Sequence, residues 1–299
     1  MKTLLFSGAT GFLGNNTSPL LRSIYKVVTV DINNSADYVY NLATTVPRLD
    51  EQFDIVLHAA GKAHALPKTE DDIQLFYDVN FQGTKNLCKA LENSGIPQSF
   101  VFISTVAVYG SETGENIAED HPLHGDTPYA KSKIQAEQYL QEWCAKQNVV
   151  LTILRPSLIA GTNPPGNLGT MINGIRTGKY LNIAGGKARK SIVMAQDIAR
   201  IIPLVEHIGG IYNICDDTHP SLRELEILIS KQLSIKTPLS IPYWLAKTFA
   251  IAGDILGPKA PINSSKLTKI TKSLTFSNEK IKQTLNFSPS DVLSNFNIQ

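Results

Sequence analysis

The chain has 299 residues, 42% of them hydrophobic and 18% charged, a globular composition with enough apolar mass for a large core, so disordered and fibrous classes are excluded. Lysine plus arginine stands at 28 against 26 for aspartate plus glutamate, a net +2 that gives no bulk electrostatic ground for binding nucleic acid or an anionic membrane. Three cysteines, Cys88, Cys144 and Cys215, are odd in number and far apart, so neither a disulfide framework nor a zinc site is expected, no metal is assigned, and a cytoplasmic setting fits best.

The opening apolar run stops at Ser7-Gly8, short of the roughly 7–15 residues of a secretory h-region, and is expected to be a strand over residues 2–7. A helix over 11–22 follows, with Pro19 expected to kink it or displace its start. Further strands are expected at 26–31, 37–41, 53–60, 99–104 and 149–154, with helices at about 71–93 and 128–147 between them. Glu70, Asp71 and Asp72 suit the start of the first of these two helices. Strands this apolar are buried on both faces, which implies an α/β protein with a doubly wound parallel sheet of Rossmann type over residues 1–155.

After Arg155-Pro156 the texture becomes Gly- and Pro-rich at 161–169, which predicts a smaller C-terminal substrate lobe over 156–299. Strands at 191–194 and 210–215 and a helix at 196–205 are expected to bring the chain back to the sheet. No apolar run approaches the ~18 residues of a spanning helix, and 241–256 is interrupted by Lys247 and Gly253, so a soluble protein without membrane insertion is expected.

Gly8, Gly11 and Gly14 follow a strand and open a helix. The first suits a tight turn, the second lets backbone N–H groups approach a pyrophosphate, and the third lets helix and strand pack closely. Thr10, Phe12 and Leu13 complete the cradle at the positive end of the helix. Asp31, at the end of the second strand, is placed to accept hydrogen bonds from an adenosine ribose and to repel a 2′-phosphate. Ile32-Asn33-Asn34 offers no arginine for such a phosphate, so NAD is favoured over NADP.

Thr105 ends the strand at 99–104, and Thr127-Pro128 reads as the N-cap and first residue of a helix that carries Tyr129 and Lys133 four residues apart on one face. A tyrosine of ordinary pKa about 10 is a poor base at neutral pH, and a neighbouring ammonium favours its phenolate. Tyr129 is therefore the candidate acid/base, Thr105 the hydroxyl that polarises the reacting oxygen, and Lys133 the tuning cation that also holds the nicotinamide ribose.

The sequence resembles the extended short-chain dehydrogenase/reductases, the NAD-dependent epimerase/dehydratase group acting on nucleotide sugars. The resemblance rests on the glycine turn, Asp31, His58-Ala59-Ala60-Gly61, Asn80-x-x-Gly83-Thr84, the run from Thr105 to Gly110, Tyr129-x-x-x-Lys133, Arg155-Pro156, Asp197-Ile198-Ala199 and Leu285-Asn286-Phe287-Ser288-Pro289. It implies that Asn41 and Leu42 lie by the adenine, that Ala59, Ala60 and Gly61 line the ribose path, that Asn80 supports the site, and that Pro156 borders the cofactor. It also implies that Lys62, Leu158, Asn167, Arg189 and Lys190 face a nucleotide-diphosphate sugar and that the chains pair as homodimers.

Departures from the group narrow the activity. Val106-Ala107 stand where dehydratases carry Asp-Glu, which argues against a 4,6-dehydratase. Ser157-Leu158-Ile159-Ala160-Gly161 replaces the Phe-Asn-Val-Tyr-Gly of many epimerases and, with Lys62-Ala63-His64, is more similar to a branch that includes 4-keto reductases. The expected function is a nucleotide-sugar epimerase that works through a transient 4-keto sugar by hydride transfer at C4. A 4-keto reductase on the same site, a reductase or isomerase of a non-sugar substrate, and a catalytically silent NAD-binding regulator are the alternatives.

Overall fold

Short β-branched runs alternate with amphipathic stretches through the first half of the chain, and they form the elements in that order. The computed structural model describes residues 1–63, 65–257 and 262–298; His64, one of the residues quoted for the resemblance, lies outside them. The order begins β1 (Thr3–Ser7), α1 (Phe12–Ile24), β2 (Lys26–Asp31), β3 (Tyr38–Val39), β4 (Ile55–His58), α2 (Glu70–Tyr77), α3 (Gly83–Ser94), β5 (Ser99–Ile103), β6 (Gly114–Ile117), α4 (Pro128–Gln147) and β7 (Val150–Pro156). It continues with β8 (Leu158–Ala160), α5 (Gly166–Arg176), β9 (Asn182–Ile183), β10 (Ile192–Met194), α6 (Ala195–Val205), β11 (Gly210–Ile214), α7 (Leu222–Gln232), β12 (Ser240–Ile241), α8 (Tyr243–Leu256), α9 (Ser264–Thr271), β13 (Leu274–Phe276), α10 (Glu279–Leu285) and α11 (Val292–Asn295).

Seven strands form one parallel sheet in the order β11-β7-β5-β4-β1-β2-β3. Strand order reverses between β1 and β4, and a crevice opens beyond the carboxyl ends of strands at such a switch point. Alternate residues sort to the two faces. Leu4, Phe6, Ile55 and Leu57 pack with Leu21 of α1 and Ile198, Ile201 and Ile202 of α6. Leu5, Val28, Val56, Phe100 and Phe102 pack with Leu87 and Leu91 of α3 and Leu140 of α4. Each such side chain contributes roughly 1.5–3 kcal/mol on burial, and a slip of one residue exchanges the two faces, so packing fixes the register.

Four expectations need correction. The strand at 37–41 shortens to β3, because the Asp37 carboxylate turns back to accept from the Thr29 amide at 2.8 Å and the Thr29 hydroxyl at 2.7 Å. The helix at 71–93 is interrupted by a wide π-turn, Asp78–Gln82, which carries Asn80 inward. Pro19 lies inside α1 and does not displace its start; the carbonyl it deprives of a partner is that of exposed Asn15. The strand expected at 191–194 does not rejoin the main sheet, since β10 pairs with β8 in a separate two-stranded ribbon, whereas β11 does return, beside β7.

Near the carboxyl end of the chain, Asp197 of α6 is fully buried and accepts from the Ser290 amide and hydroxyl at 2.7 and 2.8 Å and from Arg200 at 2.7 Å. Arg200 also lies over the Phe287 ring, so two motifs ninety residues apart in sequence are in direct contact. Thr69 and Asp72 form a capping box at α2, as the carboxylates there suggested.

A buried polar chain crosses the switch point. Ser7 at the end of β1 donates to Nδ1 of His58 at the end of β4, His58 Nε2 donates to Thr84 at 2.9 Å, and Thr84 donates to the Asn80 carbonyl at 2.7 Å. Because the Thr84 proton is committed to that carbonyl, His58 is the neutral Nε2–H tautomer. Burial, and secondarily the Lys133 charge, push its pKa down to about 3. The unfolded chain takes up this proton near pH 6.5 and the folded chain only near 3, so His58 costs stability as pH falls below 6.5. The expected loss from pH 6.5 to 5 is roughly 2 kcal/mol. Asp216, raised to about 6 chiefly by burial, opposes this between pH 6 and 4. Urea titrations of wild type and His58→Gln isolate the histidine, and the variant should show the shallower loss on acidification.

Candidate active site

The turn after β1 is built by its glycines. Gly8 has φ +79°, and a Cβ there would lie 2.5 Å from the Ala60 amide nitrogen, so the turn packs directly on the end of β4. A Cβ at Gly14 would lie 2.1 Å from the Ala9 carbonyl oxygen, which fixes the approach of α1 to the turn. At Gly11 the one neighbour within reach is the Gly8 carbonyl at 3.3 Å, so this position faces open space. Helices α2, α4 and α7 begin on the side chains of Thr69, Thr127 and Ser221, but α1 begins at Gly11 with no side-chain cap and no acidic residue in its first turn. Uncapped amides at an open glycine turn suit an anion such as a diphosphate.

Asp31 closes one side of the turn, with one carboxylate oxygen accepting from the Thr10 amide at 3.1 Å and the other from Ile32 at 2.7 Å. Thr10, Phe12 and Leu13 are half-buried around the helix start. Leu42 is buried, its carbonyl held by Asn86 at 2.7 Å, while Asn41 is exposed and its side chain accepts from Ala43. Ala59, Ala60 and Gly61 run from β4 past the turn. A Cβ on Gly61 would come within 3.0 Å of the Asn80 side-chain oxygen and 3.2 Å of Lys133 Nζ, so a side chain there would have to displace these two groups. Asn80 accepts from the Lys62 amide at 2.7 Å and donates to the Lys62 carbonyl and the Ser132 hydroxyl, tying the β4 loop to α4.

Thr105 follows β5 and accepts from the Ala107 amide at 3.1 Å, capping the single 3-10 turn Val106–Tyr109. Thr127 caps α4 with Pro128 in the first turn, as the sequence suggested. This helix start carries Tyr129 to the end of β5, where Thr105 lies near enough to act on its hydroxyl. Burial raises the Tyr129 pKa, and the nearby Thr105 side chain works against that rise. Lys133 is buried, donates to the Ile103 carbonyl at 2.9 Å and lies 4.6 Å above the Phe102 ring. Burial lowers its pKa to about 8, and Glu137 opposes the shift. The influences on the phenol are thus burial and Thr105, while the ammonium is turned toward the Ile103 carbonyl.

Glu137 lies one turn beyond Lys133 on α4 and is fully buried. It receives both arms of Arg155 from β7, at 3.1 and 2.6 Å, and the hydroxyl of Ser104. Arg155 continues to the Tyr109 hydroxyl at 3.0 Å, and Tyr109 donates to Asn213 of β11 at 2.6 Å. The roles of Glu137, Ser104, Asn213, His58 and Ser132 were not drawn from the sequence. The signal available was a carboxylate four residues after Lys133 in an otherwise apolar stripe.

On the substrate side the expected residues are dispersed. Lys62 lies 5.6 Å over the Phe76 ring, and that ring is 6.3 Å from Tyr129, so Lys62 belongs to the same neighbourhood. Leu158 starts β8, and Asn167 is exposed in the first turn of α5. Arg189 donates to the Thr218 and His219 carbonyls at 3.3 and 3.0 Å and pairs with Glu224 at 3.7 Å. Lys190 donates to the Lys272 carbonyl at 2.9 Å. Pro156 is buried at the end of β7, paired with Ile214. Asn16 of α1, which the sequence reading passed over, clasps the second half of the chain: it accepts from the Thr162 amide at 2.7 Å and donates to the Thr162 carbonyl at 3.2 Å. A basic cavity of about 440 Å³ is lined by Lys187, Lys272, Glu115 and Thr113, and Tyr129 is not part of its lining.

Comparison with known proteins places this geometry. An Escherichia coli O157:H7 protein named as an N-acetyl-α-D-glucosaminyl-diphospho-undecaprenol 4-epimerase is 29% identical over 93% of this chain and 88% of its own. A UDP-glucose 4-epimerase of Vibrio cholerae is 26% identical over 98% of this chain and 92% of its own. The structure of a Bacillus cereus UDP-glucuronic acid 4-epimerase with UDP-glucuronic acid and NAD superposes with a TM-score of 0.73 at 17% identity, covering 98% of this chain and 96% of that one. The family model described as the NAD dependent epimerase/dehydratase family matches residues 4–215, and the chain belongs to that family of enzymes.

Proposed function

We propose that this chain is an NAD-dependent nucleotide-sugar epimerase that inverts C4 through a transient 4-keto sugar. The observation that carries the reading is the convergence of Thr105 after β5 and of Tyr129 and Lys133 from α4 at the carboxyl edge of the sheet, beside a glycine turn open to a diphosphate. NAD, when bound, would supply the acceptor and then the donor of the hydride exchanged with the sugar carbon. The backbone from Gly8 to Gly14 holds the diphosphate, Asp31 accepts from the adenosine ribose, and Asn41, Leu42, Ala59, Ala60, Gly61, Asn80 and Pro156 line the remaining path.

Tyr129 takes the proton of the C4 hydroxyl as hydride leaves that carbon, so the C–O bond becomes a carbonyl, and it gives the proton back when hydride returns to the other face. Thr105 hydrogen-bonds the same oxygen. Lys133 steadies the cofactor ribose and, once its ammonium turns from the Ile103 carbonyl, supplies the positive charge that a buried phenol needs to ionise. Lys62, Leu158, Asn167, Arg189 and Lys190 face the sugar diphosphate; for Arg189 this requires exchange of its present carbonyl partners for phosphate oxygens.

Replacing Tyr129 by Phe should slow turnover by roughly 10²–10⁴ while leaving NAD binding nearly intact. Replacing Lys133 by Met should weaken both, and calorimetric NAD titration alongside turnover assays separates the two roles. NAD should bind more tightly than NADP, and Asp31→Ala should erode that preference; equal affinities in the wild type would reduce Asp31 to a loop residue.

The reaction itself is tested in single turnover with one equivalent of NAD and a panel of UDP-sugars, following NADH absorbance and C4 configuration by NMR. Inverted sugar without net NADH is expected. Stoichiometric NADH consumption with a 4-keto sugar and no inversion would replace the epimerase by a 4-keto reductase. Inversion confined to a polyprenyl-diphosphate sugar, the carrier in the name of the Escherichia coli relative, would replace the nucleotide.

A further inference from the structure

Helix α8 is packed inside out. Its small residues, Ala246, Ala250 and Gly253, face the protein and are fully or nearly buried against Ile183 and Leu267. Its large apolar residues face water: Trp244 is 66% exposed, Ile251 50%, Ile255 83% and Leu256 76%. At 100° per residue Trp244, Ile251 and Ile255 fall on one stripe opposite the buried one, with Lys247 and Asp254 on one side of the helix and Phe249 and Leu256 on the other, toward the buried face. Among the described residues, eight of the eighteen exposed large apolar side chains lie between Ile235 and Leu256. Soluble surfaces scatter such residues singly; a contiguous apolar stripe marks a contact surface.

The charge around this stripe selects what covers it. Residues 236–272 contain six lysines against a single acidic residue, Asp254, in a chain whose total is only +2. Of these, Lys236, Lys247 and Lys272 are exposed, and Lys269 pairs with Glu112 at 2.9 Å. A second copy meeting this face would cover the apolar stripe but leave the lysine excess of 236–272, six against one acidic residue, without countercharge. A layer of anionic phospholipid headgroups over hydrocarbon matches both features, with lysines at the headgroups and tryptophan at the boundary. The helix has 14 residues, about 21 Å of length against a hydrocarbon core of about 30 Å, so it lies on the surface and does not cross. No helix among the described residues is long and apolar enough to span a membrane.

We propose that the stripe formed by Trp244, Ile251 and Ile255, with Lys247 at its edge and exposed Lys236 in the stretch leading to the helix, docks the protein on an anionic phospholipid surface. Lysines act through the headgroup charge and the stripe through shallow burial, so both are required. Docking is independent of which sugar the enzyme turns over, and its test does not use turnover.

The test is co-sedimentation of the full chain with vesicles of phosphatidylcholine alone and of phosphatidylcholine with phosphatidylglycerol. Binding to the anionic vesicles is expected, weakened by salt, with a blue shift in tryptophan emission; Trp143 is buried, so the change reports Trp244. The triple variant Trp244→Ser, Ile251→Ser, Ile255→Ser should lose roughly tenfold or more of this binding, and the double variant Lys236→Gln, Lys247→Gln should lose the preference for anionic lipid. Circular dichroism and NAD binding should stay as in the wild type in both. Absence of vesicle binding, binding undiminished in the triple variant, or a wild-type dimer in ultracentrifugation that the triple variant abolishes without any vesicle binding would each overturn the proposal.

Discussion

The bidentate pair between Arg155 and Glu137 sets the geometry on which the candidate active site depends. Both side chains are essentially removed from water, 3% and 0% exposed, so neither charge is tolerable without the other. The pair repays its desolvation because the spare valences are filled, by Ser104 on the carboxylate and by Tyr109 on the guanidinium. It joins the middle of α4 to the end of β7, and Ser104 brings in the residue after β5. Helix α4 therefore cannot slide along its axis without breaking a buried charge pair. Its position puts Lys133 one turn away from Glu137 and Tyr129 one turn further, opposite Thr105.

The switch point has a second, neutral constraint of the same kind. Ser7, His58, Thr84 and Asn80 form a directional chain in which every proton has one available acceptor, and Asn80 passes it on to Lys62 and Ser132. A π-turn in the middle of a long helical segment is the backbone adjustment that aims Asn80 into this chain. The glycine turn, the β4 loop and the start of α4 are thus held together by groups that carry no charge, and the site is left free to accept the charges of a ligand.

Much of this was legible in the sequence and some was not, for identifiable reasons. Two-sided apolar runs gave the parallel strands to within a residue or two at β1, β2 and β5, and Thr127-Pro128 marked the start of α4, because burial and capping leave local signatures. Partners leave none. Nothing in the run from Ser191 to Met194 says that β10 lies against β8, nothing in Arg155-Pro156 says that the arginine turns inward to Glu137, and Arg189 next to Lys190 looks like a free basic pair although its guanidinium is held by two carbonyls. Asp37 illustrates the limit from the other side: a side chain returning to Thr29 ends a strand that propensity alone would continue.

The same limit applies to charge and hydropathy averaged over a whole chain. A net +2 conceals six lysines among the thirty-seven residues of 236–272, and the interruption of 241–256 by Lys247 and Gly253, which argues against a spanning helix, is what an interfacial helix needs: a glycine on the protein side and a lysine at the rim. The small core under α8 includes Ile183, and the chain runs from there within a few residues to Lys187 and Lys190. Lys187 and Lys272 line the same basic cavity. Helix α8 is thus linked, through the core at Ile183 and the short stretch 183–190, to the segment that carries Arg189 and Lys190, so the surface proposed to dock and the cations proposed to meet the sugar diphosphate are close neighbours in the chain.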